Sequence, residues 1–368
     1  MTDTVDRRTF LRRGAVSTAG LALVGGGGLS AILAACSDDK STTSAASGSA
    51  GGKKDLGTLA FQLSWIKNVE FAAEYLADTN GYYTAEGFSG VNLMSGGPSV
   101  QQDAVVASGK AFIGISAPDI AAAAINSGAE IICIGAQYQK NPFAVVSLAS
   151  SPIKTPADLA GKKIGVQSVN EPVWNAFLKA NNIDPSTINK IPAQFDPQPL
   201  ANGEADGWFS FVTNEPNLLK TKGVDTYSLL LNDFGYPLVS EVYIVGTGSL
   251  KTDRDKVKAV LRADIKGWHD SIKDPGAAPK LVVTKYGKDL GLDEAEQTLE
   301  SKAQNQLVLT DETKANGLCT ISDKLIAETM STLKLAGITI DQAKLFDLSV
   351  LKEIYAENPE LKTSPTPG

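Results

Sequence analysis

From Leu59 onward, short apolar runs alternate with longer stretches whose apolar positions recur every three or four residues. Runs of four to eight apolar residues bounded by Gly, Pro, Asn or Ser read as strands, and the longer periodic stretches as helices. The first half of the pattern predicts strands at Thr58–Leu63, Val91–Met94, Ala111–Ile115 and Glu130–Gly135. Helices fall between them. Val69–Asn80 stops at Gly81, and Gly96-Gly97-Pro98-Ser99 opens a helix in which Ser99 and Gln102 have the spacing of a capping box. Ser116-Ala117-Pro118-Asp119 opens another with a similar cap.

The pattern then restarts. Thr155-Pro156-Ala157-Asp158 caps a short helix, and strands are predicted at Lys163–Gln167, Asn189–Pro192, Asp206–Phe211 and Thr226–Leu231. Helices at Pro172–Asn181, Pro199–Asn202 and Glu215–Lys222 separate these strands. Val239–Val245 reads as a strand returning to the first set, and the chain beyond Thr252 reads as helical almost throughout. Strand–helix alternation with short loops predicts βαβ units and parallel sheets. The expected fold is therefore α/β, with two Rossmann-like lobes joined by two crossings near Tyr138–Phe143 and Tyr236–Ser240. Lobe I is expected to span 58–138 plus 241–368, including the C-terminal helices, and lobe II 139–240. Ligands of such sheets bind at the carboxyl ends of the strands, here in the cleft between the lobes.

The N-terminus changes the setting. Asp6-Arg7-Arg8-Thr9-Phe10-Leu11-Arg12 is a twin-arginine export pattern, and a Gly-rich, weakly apolar run leads to Leu33-Ala34-Ala35-Cys36. Small residues before a cysteine resemble a bacterial lipobox, so residues 1–35 are expected to be a signal and Cys36 the lipidated residue. A spanning anchor is the competing reading, against which stand the four consecutive glycines Gly25 to Gly28. Residues 36–57, rich in Ser, Gly and Ala, read as a flexible tether with an r.m.s. reach of ~25 Å. The expected location is the outer face of the cell membrane, reached by the twin-arginine route.

Composition narrows the function. Taking the four arginines and two aspartates of residues 1–35 from 34 basic and 41 acidic residues leaves a net charge of −9. A chain this acidic is a poor match for nucleic acid, whose phosphates need clustered Lys or Arg. A single histidine, His269, and no CxxC motif argue against a metal site or a His-based hydrolytic triad. No cofactor or metal is expected. Cys133 lies in an apolar run and reads as a small buried thiol, although a Cys133–Cys319 disulfide is compatible with export.

Several segments carry a family resemblance when taken together and in order. They are Leu63-Ser64-Trp65-Ile66-Lys67-Asn68, Gly81-Tyr82-Tyr83-Thr84-Ala85-Glu86-Gly87-Phe88, and Val105 to Gly114. Ile153 to Val166 and Leu200-Ala201-Asn202-Gly203-Glu204-Ala205-Asp206-Gly207 complete the set. The chain so read resembles the periplasmic substrate-binding proteins of the SsuA/THI5-like (NMT1) group, which serve ABC importers. The resemblance implies a type II two-lobed binding protein, acting as a monomer, that closes on a small molecule and docks on a permease with its ATPase. Thiamine-precursor pyrimidines, riboflavin, alkanesulfonates, taurine and nitrate are the ligand classes it implies. It also implies an enzymatic alternative, the fungal pyrimidine synthase, whose cysteine-rich motif and active-site histidine have no counterpart in the cleft loops here.

The residue census favours a heteroaromatic ligand. After the signal only Arg254 and Arg262 remain, and no predicted cleft loop contains an arginine to fork onto a sulfonate or carboxylate. The loops offer aromatic rings and amides instead. Candidate ligand contacts are Trp65, Asn68, Glu70, Gly97, Ser99, Ser116, Tyr138 and Asn141 on the first lobe and first crossing. On the second lobe and second crossing they are Gln167, Asn170, Trp174, Trp208, Asn214, Glu215 and Tyr236. Planar rings with amide and carboxyl partners suit a flat heterocycle whose edge offers N–H and C=O groups. Simpler roles compete at several positions: Asn68, Ser99 and Ser116 as helix caps, Trp174 as core, and Gly97 as turn chemistry. Trp208 and Phe209 alternate along one strand, so one of them must face away from the cleft.

Overall fold

The computed structural model describes residues 55–368; the signal, the lipidation site at Cys36 and most of the tether lie outside the described residues. Ten strands form two five-stranded sheets. The first has the order β2-β1-β3-β10-β4, from Gly90–Met94, Thr58–Gln62, Ile113–Ser116, Ser240–Gly246 and Ile131–Tyr138. The second has the order β7-β6-β8-β5-β9, from Asn189–Pro192, Lys163–Val166, Gly207–Phe211, Phe143–Leu148 and Thr226–Leu230.

Each sheet has a parallel core interrupted by one antiparallel strand. β10 runs antiparallel to β3 and β4, and β5 antiparallel to β8 and β9. Wholly parallel sheets, as the sequence pattern predicts, are therefore corrected to mixed ones. Both reversed strands have the same origin. Each is the first strand the chain forms after crossing from one sheet to the other, so it enters its new sheet against the grain. β5, Phe143-Ala-Val-Val-Ser-Leu148, is the strand that the pattern does not predict. It is buried on both faces and so lacks alternation, although Asn141-Pro142 marks a turn just before it.

The crossings are tied to each other. Asn141 Nδ2 donates to the Tyr236 carbonyl at 3.1 Å, while its Oδ1 accepts from the Phe143 amide at 3.0 Å. One buried side chain thus joins both connecting segments.

Two further details differ from the sequence reading. The helix after Gly96 is Gln102–Ala107 with Gln101 at its N-cap and no side-chain cap, and Ser99 is an exposed turn residue. Ser116 ends β3 rather than capping Pro118–Asn126, and its hydroxyl donates to the Asp103 carboxylate at 2.9 Å. Cys133 and Cys319 are both buried free thiols, so no disulfide joins them.

The C-terminal helices do more than brace the first sheet. From Glu294–Val308, Gln297 Oε1 accepts from the Val69 amide at 2.6 Å and Gln304 Nε2 donates to the Val69 carbonyl at 2.8 Å. These bonds hold the entry of helix Ala72–Thr79. Asp323–Leu335 instead reaches the second crossing, where Thr332 Oγ1 donates to the Pro237 carbonyl at 2.7 Å.

Helix Ala72–Thr79 is also pressed closely onto Arg254–Lys273. A Cβ at Gly267 would stand 2.1 Å from the Ala73 carbonyl oxygen, a backbone atom with no room to yield. Gly267→Ala is expected to destabilise the chain by about 1–3 kcal/mol through this overpacking. The lowered midpoint of a urea melt, with an unchanged slope, would show it; an unchanged midpoint would refute the close approach.

Candidate functional site

Between the sheets lies a narrow cleft with a cavity volume of about 40 Å³. From the first sheet's side it is lined by Ser64, Trp65, Glu70, Gln102, Ser116 and Glu241, with Ala117 and Ile120 below. From the second come Phe143, Val169, Asn170, Phe209, Ser210, Phe211, Asn214 and Glu215. Most of the lining lies at or just beyond the carboxyl ends of the parallel strands β1, β3, β6 and β8, where open α/β sheets bind ligands, while Phe143 and Glu241 come from the starts of the antiparallel β5 and β10.

The aromatic wall is well fixed. Phe143 stacks on Phe209 at 5.0 Å between ring centroids and meets Phe211 edge-on at 4.6 Å. Trp174 packs edge-on behind Phe209 at 5.6 Å and does not line the cleft. Trp208 faces the other side of the sheet. Its indole lies over Gly165 on the neighbouring strand, where an added Cβ would stand 2.5 Å from Cε3.

The polar lining is acidic and lacks a cation. Ser64 Oγ stands 3.0 Å from Glu70 Oε1 and 3.0 Å from Glu241 Oε2, and Glu215 Oε2 accepts from the Phe211 amide at 3.0 Å. No Lys, Arg or His lines the cleft. Arg254 and Arg262 are engaged with Glu353 and Glu86 respectively. Burial, with no cation to offset it, raises all three carboxyl groups: Glu215 to about 8, and Glu70 and Glu241 in the same direction. Below the floor, burial pushes Asp103 up to about 7 against the opposing bond from Ser116. Gln102 Oε1 is buried at the cleft without a hydrogen-bond partner.

Glu241 is also conformationally unusual. Its φ of +48° is left-handed, a conformation costing a side-chain-bearing residue roughly 1–2 kcal/mol. It places a carboxyl in the cleft from a strand otherwise buried and apolar. The charged residue inside the otherwise uncharged run Ser240-Glu241-Val242-Tyr243-Ile244-Val245 is its signal in the sequence.

Of the residues proposed from sequence, the cleft gathers Trp65, Glu70, Ser116, Asn170, Asn214 and Glu215. The others lie elsewhere. Asn68 is buried behind Trp65, donating to Glu300 Oε1 at 2.9 Å, and makes no cap bond. Tyr138 is core, donating to Gln304 Oε1 at 2.8 Å, and Tyr236 donates to Asp119 Oδ2 at 2.6 Å. Gln167 buttresses the wall through the Phe209 carbonyl at 2.9 Å, and holds Asn170 through its own Oε1 at 3.1 Å.

Gly97 adopts φ +148°, which glycine accepts readily, in the turn that presents the Pro98 carbonyl. That carbonyl accepts from the Val169 amide at 3.1 Å and from Ser168 Oγ at 2.8 Å, linking a first-sheet loop to a second-sheet loop. The cleft is thus bridged at this edge.

Among the described residues no helix is long and apolar enough to cross a membrane, and no group of three or more His, Cys, Asp or Glu could hold a metal ion.

The raised carboxyls make stability pH-dependent. Their native pKa values lie above their unfolded ones, so the folded chain binds more protons between about pH 4 and pH 8 and its stability falls as pH rises through that window. The melting temperature is expected to be higher at pH 5.5 than at pH 8.5, and Glu215→Gln to flatten the difference. A melting temperature that rises over this range would contradict the buried, unpaired state of these groups.

The sequence comparisons agree with this architecture. The NMT1/THI5-like family profile matches residues 68–278. A formylaminopyrimidine-binding protein of Halalkalibacterium halodurans is 24% identical, covering 62% of this chain and 71% of that protein. The riboflavin-binding protein RibY of Chloroflexus aurantiacus is 27% identical, covering 61% of this chain and 65% of that protein. Among solved structures, the alkanesulfonate-binding protein SsuA of Xanthomonas axonopodis pv. citri superposes with a TM-score of 0.59 at 14% identity, covering 78% of this chain and 96% of that one. The likeness to that structure is one of fold. With the profile spanning more than half its length, the chain belongs to the NMT1/THI5-like family.

Proposed function

We propose that the chain is the extracytoplasmic solute-binding component of an ABC importer and captures a small heteroaromatic nutrient, of the pyrimidine or riboflavin kind, in the interlobe cleft. The observation that carries this reading is the cleft's lining: Trp65, Phe143, Phe209 and Phe211 beside Glu70, Glu215 and Glu241, with no cation. Aromatic walls favour a flat ring, and carboxyl oxygens favour its N–H edge. The names of the two relatives, a formylaminopyrimidine-binding and a riboflavin-binding protein, support the same class.

Sulfonate, taurine or nitrate is the second reading, supported by the fold likeness to SsuA. An anion placed here meets three carboxyl groups and no guanidinium, which opposes it. Catalysis is not proposed. The cleft lining contains no histidine, cysteine or lysine, and Cys133 and Cys319 are buried in the core.

The mechanism is closure. The first and second crossings flex together because Asn141 ties them, and the Pro98 carbonyl receives Val169 and Ser168 as the lobes meet. Solute binding supplies the differential contacts that favour the closed form. The twin-arginine pattern and the Leu33-Ala34-Ala35-Cys36 sequence support export and attachment through a lipid on Cys36, which would keep the cleft near its permease. A monomer needs no second copy to complete this site.

Titration with a panel of pyrimidines, riboflavin, taurine and nitrate, read by tryptophan fluorescence, tests the ligand class. A heteroaromatic compound is expected to quench and the anions to leave the signal unchanged. Trp65→Ala is expected to weaken binding by about 1–3 kcal/mol, the usual loss of one stacking platform. Tight binding of an anion with none of the rings would overturn the assignment. Export has its own test: Cys36→Ala should move the chain from the membrane fraction to the medium, and an unchanged distribution would refute the lipid anchor.

A further inference from the structure

Two of the three cleft carboxyls meet at one hydroxyl. Ser64 Oγ lies 3.0 Å from both Glu70 Oε1 and Glu241 Oε2. A hydroxyl has a single proton and can donate to only one of them. The other contact is attractive when that carboxyl keeps its own proton and donates to Ser64 Oγ. Two ionised carboxylates on either side of one hydroxyl, withdrawn from water, would repel each other, and in such pairs one carboxyl retains a proton.

The surroundings give no relief. Facing the pair are Glu74 on the helix Ala72–Thr79 that follows Glu70, Tyr138 on β4, Glu215 from across the cleft and Glu300 on the helix Glu294–Val308. All are acidic or neutral. Lys67, three residues before Glu70, does not line the cleft. Glu241, on a left-handed backbone at φ +48°, is buried away from water. An independent observation points to a ligand at the same spot: Gln102 Oε1 is buried at the cleft and has no donor. A buried acceptor without a partner is costly, and a ligand N–H would satisfy it.

We propose that Glu70, Ser64 and Glu241 form a proton-exchanging subsite, in which a ligand's cationic nitrogen replaces the proton the two carboxyls share. In the free cleft one carboxyl is neutral and the other charged. In the complex both are charged against the ligand's cation, Ser64 donates to one of them, and the displaced proton passes to solvent. No bond other than the O–H of the carboxyl is broken. This rests on the cleft being the ring-binding site, and it narrows the ligand to heterocycles bearing an amine or amidine-like group. A neutral ring without such a group leaves the proton where it is.

Calorimetry of the purified chain tests this with an aminopyrimidine carrying an aminomethyl group, in buffers of differing ionisation enthalpy. Release of close to one proton per bound ligand is expected at pH 6, with affinity rising about tenfold per pH unit between pH 5.5 and 6.5, as one-proton linkage requires. The hydroxymethyl analogue, lacking the ammonium, is expected to bind more weakly and to release fewer protons. Glu70→Gln and Glu241→Gln should each abolish the release. Binding of the aminomethyl probe with no proton released and no pH dependence would overturn the subsite while leaving the ring-binding reading intact. Failure of both pyrimidines and of riboflavin to bind would overturn that reading, and this one with it.

Discussion

Everything at the centre of this molecule answers to one constraint: carboxyl groups are taken out of water with no positive charge to meet them. Burying an ionised carboxylate alone costs far more than a folded chain can spare, so the groups must be neutralised or surrounded by donors. Both devices are visible. Glu74 accepts from Gln137 Nε2 at 2.6 Å, Glu300 from Asn68 Nδ2 at 2.9 Å and from Gln297 Nε2 at 3.0 Å, and Glu70 and Glu241 share Ser64. The remaining burden falls on protonation, which is why these groups titrate above the usual carboxylate range.

That network also fixes the architecture around the cleft. The turn carrying Glu70 and the helix after it carrying Glu74 are positioned by C-terminal amides, since Gln297 and Gln304 bond the two backbone groups of Val69. Glu241 arrives on β10, the strand that returns from the second crossing. Glu215 comes from the second sheet's side. Three carboxyls from three separated chain segments therefore converge only when the two-lobed topology is complete. Closure and the electrostatics of the cleft are consequently inseparable: moving the lobes apart moves Glu215 away from Glu70 and lets water reach both.

The sequence disclosed the periodic parts of this arrangement and missed the parts that depend on contact across the fold. Nine strands and the long C-terminal helices announce themselves by alternation, caps and glycine stops. β5 does not, because a strand buried on both faces has no polar positions to set its period. The aromatic assignments show the same limit. Alternation requires Trp208 and Phe209 to face opposite sides, yet only the pairing of Trp208 with Gly165 on the neighbouring strand decides which side is which. Amides such as Asn68, Asn141 and Gln167 look alike in sequence whether they meet a ligand, a carboxylate or a backbone carbonyl. Their partners lie 232, 95 and 42 residues away in the chain. Glu241 stood out only as a charge inside an apolar strand.

The fold likeness to a sulfonate-binding protein and the acidic cleft of this chain pull toward different ligands, and the proposed reading follows the cleft. Two sheets and two crossings provide an opening at the carboxyl ends of strands; they do not set the sign of the charge inside it. A sulfonate or nitrate is held by donors, and several donors here have other partners. Ser116 is bonded to Asp103 and Asn170 to Gln167, while Arg254 and Arg262 are engaged with Glu353 and Glu86 and do not line the cleft. What is left facing the opening is an excess of acceptors: two glutamates around one hydroxyl, a third on the opposite wall and an unpartnered amide oxygen. An anion would have to displace that excess, whereas a ring with an amine edge completes it. On the proposed reading, the charge of the lining would separate this chain from the sulfonate-binding protein whose fold it shares.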